Sequence, residues 1–332
     1  MRQTNWAVLG PGAISRDFVT GLRSSSHGVL HAVGSSSAER ASAFAAEHGA
    51  QASGTYDDVL ARDDVDAVYI GTVHTTHADL AIRALEAGKA VLCEKPASPT
   101  ADEVDRILAA AARTQRPFVE AFKTRFGPLA ESLRAILGSG ELGAPERVEA
   151  AFGFDAGSHT GRLFDPALAG GAILDVGCYP VSLAVDVARA GGMLGSGDAR
   201  SSQIALASAS GEIVEGVDGD ASAEFGLGGL VAALETSIVR KLPASAVIRC
   251  EQGTIELPDA WGDRAESATT LIVRGGPNER VLTLRSVQPM AAEADAVSLA
   301  LAEGRLEAPE IPWADSRAIS AALTAWRTAV MA

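Results

Sequence analysis

The N-terminal third of the chain alternates short apolar runs with helical patterns, and this alternation restricts the fold more than any other feature. Apolar runs begin near Asn5, Leu30, Val65 and Lys89, and each is followed by a helical pattern. Such alternation is typical of βαβ units, in which helices cover both faces of a parallel sheet. We predict an α/β domain over residues 1–123, built on a doubly wound parallel sheet.

The chain changes its pattern after residue 123. Strand-like segments separated by glycines and short polar breaks fill most of residues 202–286, and helical patterns at 290–303 and 315–330 close the chain. Consecutive strands without intervening helices are typical of antiparallel meanders. We predict that residues 124–332 form an α+β domain with a large open, mainly antiparallel sheet, whose C-terminal helix could pack back towards the first domain.

An open sheet needs helices on one face, and its other face must meet water or a partner. The segment 230–239 is apolar on both alternations. This pattern favours burial of the second face in a homodimer or a higher homo-oligomer, although extra helices of the same chain would also cover it.

The composition is typical of a soluble globular protein without a nucleic-acid or membrane partner. Of the 332 residues, 47% are hydrophobic and 21% are charged, and the formal net charge of −14 would repel nucleic acids and anionic lipids. We find no pattern of a signal peptide or a membrane span. Cys93, Cys178 and Cys250 are odd in number and widely spaced, which indicates reduced thiols and a cytoplasmic location.

The first strand–helix junction contains a glycine-rich turn. Gly10 permits a tight turn, and Gly12 lets the backbone N–H groups at the start of the helix approach a pyrophosphate. Together with Ala13 and Ile14, these glycines are predicted to bind a dinucleotide. Ser15 stands where the usual motif has its third glycine.

The end of the second strand indicates which dinucleotide is bound. An NAD site usually has an acidic residue here, whereas this chain has Ser35 and Ser36, with Arg40 nearby. Hydroxyl groups and an arginine accommodate a 2′-phosphate, so we predict NADP in preference to NAD. The alternative is that the serines cap the next helix, for which Ser37 is well placed.

Further candidate cofactor contacts lie where predicted strands end, because open α/β sheets bind ligands beyond the carboxyl ends of their strands. Thr72, His74 and His77 follow one strand, and Glu94 and Lys95 end the next. We predict that all five contribute to the cofactor site. The HxxH spacing of the two histidines lacks a third ligand, so we expect no metal site.

Residues 170–182 contain a second group of candidate functional residues, in which glycines surround Asp175 and Tyr179. A spacing of four residues places both side chains on one face of a helix. The same spacing allows Asp175 to be a helix cap and Tyr179 to be a core aromatic residue.

Together these motifs resemble the Gfo/Idh/MocA family of oxidoreductases along nearly the whole chain. The resemblance rests on the segments GPGAIS, DDVDAVYIGTVHTTH, ALEAGKAVLCEKP, VEAFKTRFGP, RLFDPALAGGAILDVGCYPVSLA and IPWADSRAISAAL. The tyrosine at position 179 is similar to that of the subgroup that contains the dimeric dihydrodiol dehydrogenases and the NADP-dependent xylose dehydrogenases.

The resemblance implies a Rossmann domain followed by a domain whose open sheet often forms a dimer interface. It implies that Lys95 contacts both the nicotinamide ribose and the substrate, and that the peptide bond to the following proline is often cis. It also implies that Asp175 and Tyr179 line the substrate pocket. The implied activity is hydride transfer between nicotinamide and a carbinol or carbonyl carbon of a sugar, a cyclic polyol or a diol.

The chain departs from this family in one wall of the expected pocket. Lys123 and Thr124 replace hydrophobic or aromatic residues before Arg125, which makes this wall more polar and more cationic. The residues that we expect to line the substrate pocket are Lys123, Arg125, His159 and Arg162. His159 and Arg162 lie in the loop before Asp175, and the alternative, which we favour for these two, is that they are solvated loop residues.

Hydride transfer from an alcohol also requires a base for the hydroxyl proton. A phenol is a poor base at neutral pH, but a nearby ammonium group lowers its pKa. We predict that Tyr179 exchanges the proton, that Lys95 tunes the phenol and anchors the ribose, and that Asp175 orients the substrate. The roles of Tyr179 and Lys95 could be exchanged. Two alternative functions stay open: a dinucleotide-binding sensor or scaffold, and a redox-assisted lyase or glycosidase.

Overall fold

The computed structural model describes residues 2–195, 203–262, 266–286 and 288–332. The chain forms two compact units. The first contains Met1–Ser98, Asp102–Lys123 and Gln288–Trp313, and the second contains Pro99–Ala101, Thr124–Val287 and Ala314–Ala332.

The first unit is built on a six-stranded sheet in the order β3-β2-β1-β4-β5-β6, in which all neighbouring strands are parallel. This strand order is that of dinucleotide-binding Rossmann folds, with the chain reversing direction along the sheet between β1 and β4. The predicted parallel sheet is therefore confirmed. The strands are β1 Thr4–Leu9, β2 Gly28–Gly34, β3 Ala52–Gly54, β4 Ala67–Ile70, β5 Ala90–Glu94 and β6 Phe118–Ala121.

Helices connect these strands, and the central strands are buried on both faces. Every residue of β4 and of β5 is buried, which is the burial pattern of a strand covered by helices on both sides. Tyr69 of β4 stacks on Phe18 of the first helix, with ring centroids 3.8 Å apart. The helices are α1 Ala13–Leu22, α2 Ala38–His48, α3 Tyr56–Leu60, α4 His77–Glu86 and α5 Ala101–Thr114.

The second unit contains an eight-stranded sheet in the order β14-β13-β12-β11-β7-β10-β9-β8. Strands β7 and β10 pair in parallel, and the other described pairs are antiparallel, as predicted. The strands are β7 Pro145–Gly153, β8 Ile204–Val214, β9 Val217–Leu227, β10 Leu230–Ser237, β11 Ala246–Cys250, β12 Gly253–Leu257, β13 Ser267–Gly275 and β14 Arg280–Ser286.

Helices α6 (Pro128–Ser139) and α7 (Cys178–Ala190) pack on this sheet, α6 against β13 and β14 and α7 against β7, β9 and β10. Burial alternates along β9 and β10, so that one row of side chains is in the core and the other is partly or fully exposed. Leu230 and Ala232 are buried, whereas Val231 is half-buried and Glu235 is exposed. Within the described residues, the second face of the sheet thus stays open to solvent.

Two helices end the chain. Helix α9 (Trp313–Met331) lies mostly in the second unit, where Trp326 makes an edge contact with Phe225 of β9. Helix α8 (Pro289–Glu303) belongs to the first unit and packs against α1 and β5. Its Asp295 accepts hydrogen bonds from Ser25 and from the backbone N–H groups of Ser26 and His27. The division of function at residue 123 stays a prediction.

One buried segment resembles a membrane helix in composition. Residues Pro166–Ala190 reach a mean hydropathy of 1.6, but 89% of that window is buried inside the protein. A helix that is apolar all round and buried in this way is typical of a protein core. The three cysteines are buried thiols.

Candidate active site

The turn between β1 and α1 is a close backbone approach that requires glycine. Gly10 has a φ of +90°, and a Cβ atom there would lie 2.5 Å from Cγ2 of Thr72. Gly12 is the N-cap residue of α1 and provides no side chain to cap the first N–H groups. The helix start therefore offers backbone donors to an anion.

Ser15 has a structural reason to replace the third glycine of the motif. Its buried hydroxyl donates a 2.6 Å hydrogen bond to the carbonyl oxygen of Gly10. On its other side, a Cβ atom on Gly71 would lie 2.4 Å from the Ser15 Oγ, so β4 must end in glycine here. The small hydroxyl satisfies the turn and still lets helix and strand approach closely.

The serines after β2 divide between two roles. Ser37 caps α2 by accepting a hydrogen bond from the N–H of Arg40, and buried Ser35 accepts one from the N–H of Ser37. Ser36 is exposed, and the Arg40 guanidinium donates a 2.9 Å hydrogen bond to its hydroxyl. Ser36 and Arg40 thus form an exposed polar pair, whereas Ser35 is occupied internally.

His77 does not fit its predicted role as a cofactor contact, because its side chain is completely buried. Its ring nitrogens lie 3.0 Å from the carbonyl oxygen of Pro96 and 3.2 Å from that of Thr72. The imidazole therefore links the ends of two strands. His74 is also buried, with its ring 5.8 Å from that of His77, while Thr72 stays half-buried and receives a hydrogen bond from Thr76.

Glu94 has an internal role as well. One carboxylate oxygen accepts a 2.7 Å hydrogen bond from the buried hydroxyl of Tyr69, and the other accepts one from the backbone N–H of Lys95 at 3.2 Å. Burial and the charge of Glu94 raise the pKa of Tyr69 well above its ordinary value, so Tyr69 remains a donor. Glu94 thereby fixes the backbone at Lys95.

The chain after Lys95 is also held by buried groups. The Lys95–Pro96 peptide bond is cis, as the family resemblance implies. Glu120 of β6 accepts a 2.8 Å hydrogen bond from the N–H of Ala97. The side chain of Lys95 is half-buried, on a backbone that neighbouring strands fix on both sides.

In the second unit, Asp175 and Tyr179 are both buried, with 7% of each residue exposed. Asp175 lies in a π-helical turn, Ile173–Gly177, that leads directly into α7. Such turns are rare and occur frequently at functional sites. The exposed Arg162 forms a 2.8 Å ion pair with Asp175, so the loop before this motif contacts the turn.

Asp218 of β9 supports this turn, although no sequence pattern indicates this role. Its carboxylate accepts a 2.6 Å hydrogen bond from the N–H of Ile173. Gly171 must be glycine, because a Cβ atom there would lie 2.2 Å from the Asp218 Oδ1. Burial raises the pKa of Asp218 to about 6. A tertiary contact therefore caps the segment that carries Asp175.

Aromatic rings surround Tyr179, and these too were missed. Phe152 makes an edge contact with Tyr179 at 5.5 Å and stacks on Trp261 at 5.7 Å. The Trp261 indole is fixed by a 2.9 Å hydrogen bond to the carbonyl oxygen of Ala151. Phe152 and Trp261 thus form an apolar wall beside the Tyr179 ring.

The remaining predicted pocket residues have different environments. His159 is exposed and stacks on Phe164 at 4.8 Å. Lys123 and Thr124 are half-buried in a 3₁₀ turn after β6. In the described parts of the chain, no three His, Cys, Asp or Glu side chains cluster as metal ligands would.

Arg125 is not placed as a substrate contact, because only 1% of it is exposed and its guanidinium is in an ion cluster. It pairs with Asp315 and, at 3.3 Å, with Asp186. Arg134 and Arg189 contact the same acids. Burial alone would raise the pKa of Asp186, but the three arginines lower it below its usual value. Arg125 therefore ties α7 to α9.

A parallel sheet of this order, with a glycine turn at the first helix, defines a dinucleotide-dependent enzyme class. Residues 4–122 match the Gfo/Idh/MocA oxidoreductase family with an NAD-binding Rossmann fold, and residues 130–256 match the family's C-terminal domain. The chain belongs to this family and is an NAD(P)-dependent oxidoreductase.

Known relatives agree along the whole chain. It is 31% identical to trans-1,2-dihydrobenzene-1,2-diol dehydrogenase of Xenopus tropicalis, over 96% of this chain and 95% of that one. The Bos taurus enzyme of the same name is 33% identical, over 98% and 96%. The 3-ketoreductase KijD10 of Actinomadura kijaniata, crystallised with NADP and TDP-benzene, shares the fold, with a TM-score of 0.85 and 23% identity over 99% and 98% of the two chains.

We expect Arg125→Met to lower the free energy of unfolding by about 3–5 kcal/mol, because it removes the central cation from two buried acids. The matched control is Arg83→Met on α4, whose partners Asp57 and Asp79 are exposed, and this change should cost less than about 1 kcal/mol. Urea unfolding, monitored by circular dichroism, measures the free energy of unfolding of both variants. Normal stability combined with a raised substrate KM in Arg125→Met would restore the predicted pocket role.

Proposed function

We propose that this enzyme transfers a hydride between NADP and a ring carbon that bears a hydroxyl or carbonyl group, in a cyclic diol, a cyclic polyol or a sugar. The observation that carries the proposal is the apolar wall of Phe152 and Trp261 beside the Tyr179 ring, with the Asp175–Arg162 ion pair close along the chain. Such a wall suits the face of a ring, and the polar groups suit adjacent hydroxyls. The named diol dehydrogenase relatives support this class of substrate.

The first unit fits the cofactor. The N–H groups at the start of α1 suit a pyrophosphate, because Gly12 leaves them without a side-chain cap. The exposed Ser36–Arg40 pair suits a 2′-phosphate, since it combines a hydroxyl with a cation and contains no acidic group. When bound, the dinucleotide supplies the carbon that accepts or donates the hydride.

We assign the transfer of the proton to side chains of the protein. Tyr179 takes the hydroxyl proton when an alcohol is oxidised and returns it when a carbonyl is reduced. Lys95 favours the phenolate electrostatically and anchors the ribose, and Asp175, held by Arg162, orients the neighbouring substrate hydroxyl. In the alternative assignment, Lys95 exchanges the proton and Tyr179 orients the substrate.

We expect Tyr179→Phe and Lys95→Ala each to lower kcat at least about a hundredfold, because each removes a group from the proton-transfer step. Fluorescence titration should show that NADPH still binds. The substrate panel is aldoses, cyclic polyols and cyclic trans-diols, and release of free NADPH separates dehydrogenation from a lyase cycle that retains its cofactor.

Matched controls for these variants are Tyr56→Phe on α3 and Lys241→Ala on the exposed surface, which should leave kcat unchanged. Near-normal turnover in either site variant would refute the assigned chemistry. If no compound in the panel changed NADPH fluorescence while the dinucleotide bound, a sensor role would replace the enzymatic one.

We expect Arg40→Ala to weaken NADP binding about tenfold and NAD binding hardly at all, since only NADP carries the 2′-phosphate that a charged donor binds. Titration calorimetry with both dinucleotides measures the ratio. Arg106→Ala, on the exposed side of α5, serves as a control for the loss of one positive charge. An equal loss for both dinucleotides would place Arg40 outside the 2′-phosphate site.

We also propose that the open face of the second sheet joins two copies of the chain in a homodimer. Paired residues on this face include apolar Val231 and Ala233 among ion-paired Arg147, Glu149 and Arg249. A mixture of small apolar side chains and ordered charges suits a self-complementary interface between identical copies.

Ala233→Arg tests the dimer. Position 233 lies opposite Glu149 on one neighbouring strand and Glu224 on the other, so a single chain accommodates the new cation. In a dimer, two facing copies would bring their new arginines together, and the like charges would repel. Light scattering after size exclusion should show a dimer for the wild type and a monomer for the variant. Met331→Arg at the exposed end of α9, outside the sheet, should stay dimeric. A monomeric wild type at micromolar concentration would rule out this interface.

A further inference from the structure

Two buried carboxyl groups lie on packed elements of the first unit, and one of them, Glu94, directly precedes Lys95 in the chain. Glu293 of α8 is 1% exposed, and Glu94 at the end of β5 is 8% exposed. Both belong to the first compact unit, in which α8 packs against β5. Two carboxylates cannot both be ionised at low cost in such a place, because each charge loses its hydration and repels the other.

The surroundings decide which group holds a proton. Burial and the negative charge of Glu94 raise the pKa of Glu293 well above its ordinary value, against an opposing effect of Lys123 from the turn after β6. The third titratable neighbour is Tyr69 from β4, which stays protonated for the same reasons. Glu94 in turn has the partners of an anion, since the Tyr69 hydroxyl and the Lys95 N–H donate to its two oxygens.

We propose that Glu293 is a positioning residue for the reaction. It holds one proton for the Glu94–Glu293 pair, so that Glu94 keeps a single negative charge. Glu94 then also keeps its two contacts, to the Tyr69 hydroxyl and to the backbone of Lys95. The proposal rests on the function assigned above to Lys95. Ionisation of Glu293 would place a second negative charge against Glu94 and weaken its hold on that backbone. The buried Glu293 Oε1 atom has no hydrogen-bond partner in the described residues, so no donor stabilises a negative charge on that oxygen.

The first test does not depend on any activity. An acid with a raised pKa in the folded state makes the protein most stable below its unfolded value, near 4.5, and this contribution is lost as the pH rises towards the folded pKa. Glu293→Gln removes this loss, because the amide stays neutral. The melting temperature of the wild type should therefore fall more steeply above pH 5 than that of Glu293→Gln, and parallel curves would overturn the proposal.

The second test concerns catalysis. Glu293→Met keeps the volume but removes the polar group, and we expect kcat/KM to fall about tenfold. Glu293→Gln should recover most of this loss and should keep its kcat at alkaline pH, where the wild type declines. If Glu293 served packing alone, Glu293→Gln would leave the pH profile of kcat unchanged, and the Gln and Met variants would have the same kcat/KM. Glu303→Gln, the same change at the exposed end of α8, should follow the wild type throughout.

The two proposals fail in different ways. A wild-type pH profile and kcat/KM in Glu293→Met would overturn the positioning role, even if Lys95→Ala abolished turnover. Normal turnover in Lys95→Ala would overturn the proposed chemistry, while the pH dependence of melting would still report the proton on Glu293.

Discussion

The hydrogen bonds of Glu94 hold the end of β5, and the proposed chemistry depends on them. A flexible lysine gains a defined position only if its backbone is fixed. Here Glu94 accepts a hydrogen bond from the N–H of Lys95 itself, and His77 contacts the carbonyl oxygen of the next residue, Pro96. Both side chains are buried, so the strands of the sheet provide the rigidity and the loop provides the functional group. The positioning groups come from β4, β5 and α4, which explains why the sheet must be in place before the site exists.

The second unit uses charge in two distinct ways. Around Arg125, buried arginines and acids compensate one another and join helices. On the open sheet face, Arg147 and Arg249 form exposed pairs with Glu149 that add little to stability. Asp175 lies between these extremes, because it is buried while its partner Arg162 reaches the surface. A carboxylate paired with an exposed cation can exchange that contact for a hydrogen bond to a ligand at low cost.

Local patterns predicted the fold well, and they predicted the site in part. The glycines of the first turn and the periodicity of the strands depend on neighbours in the sequence, and both are confirmed by the structure. Asp218 and Trp261 were missed because their importance arises from contacts with distant segments, at Ile173 and Ala151. Arg125 was misplaced for the same reason, since nothing near it in the sequence reveals the acids that surround it. The assignment of the catalytic groups stays a prediction.

The path of the chain between the units affects the order in which they can fold. The chain leaves the first unit after Lys123 and returns to it only at Gln288. During synthesis, the parallel sheet is complete long before α8 has been made, and Gly21 of α1, which the structure brings against Met290, stays uncovered until then. Most of the second unit is made while the first still waits for α8, but its own last helix, α9, follows α8 in the chain, so both units are completed only at the end of synthesis. An N-terminal fragment would contain every glycine of the nucleotide motif and yet lack one side of its core.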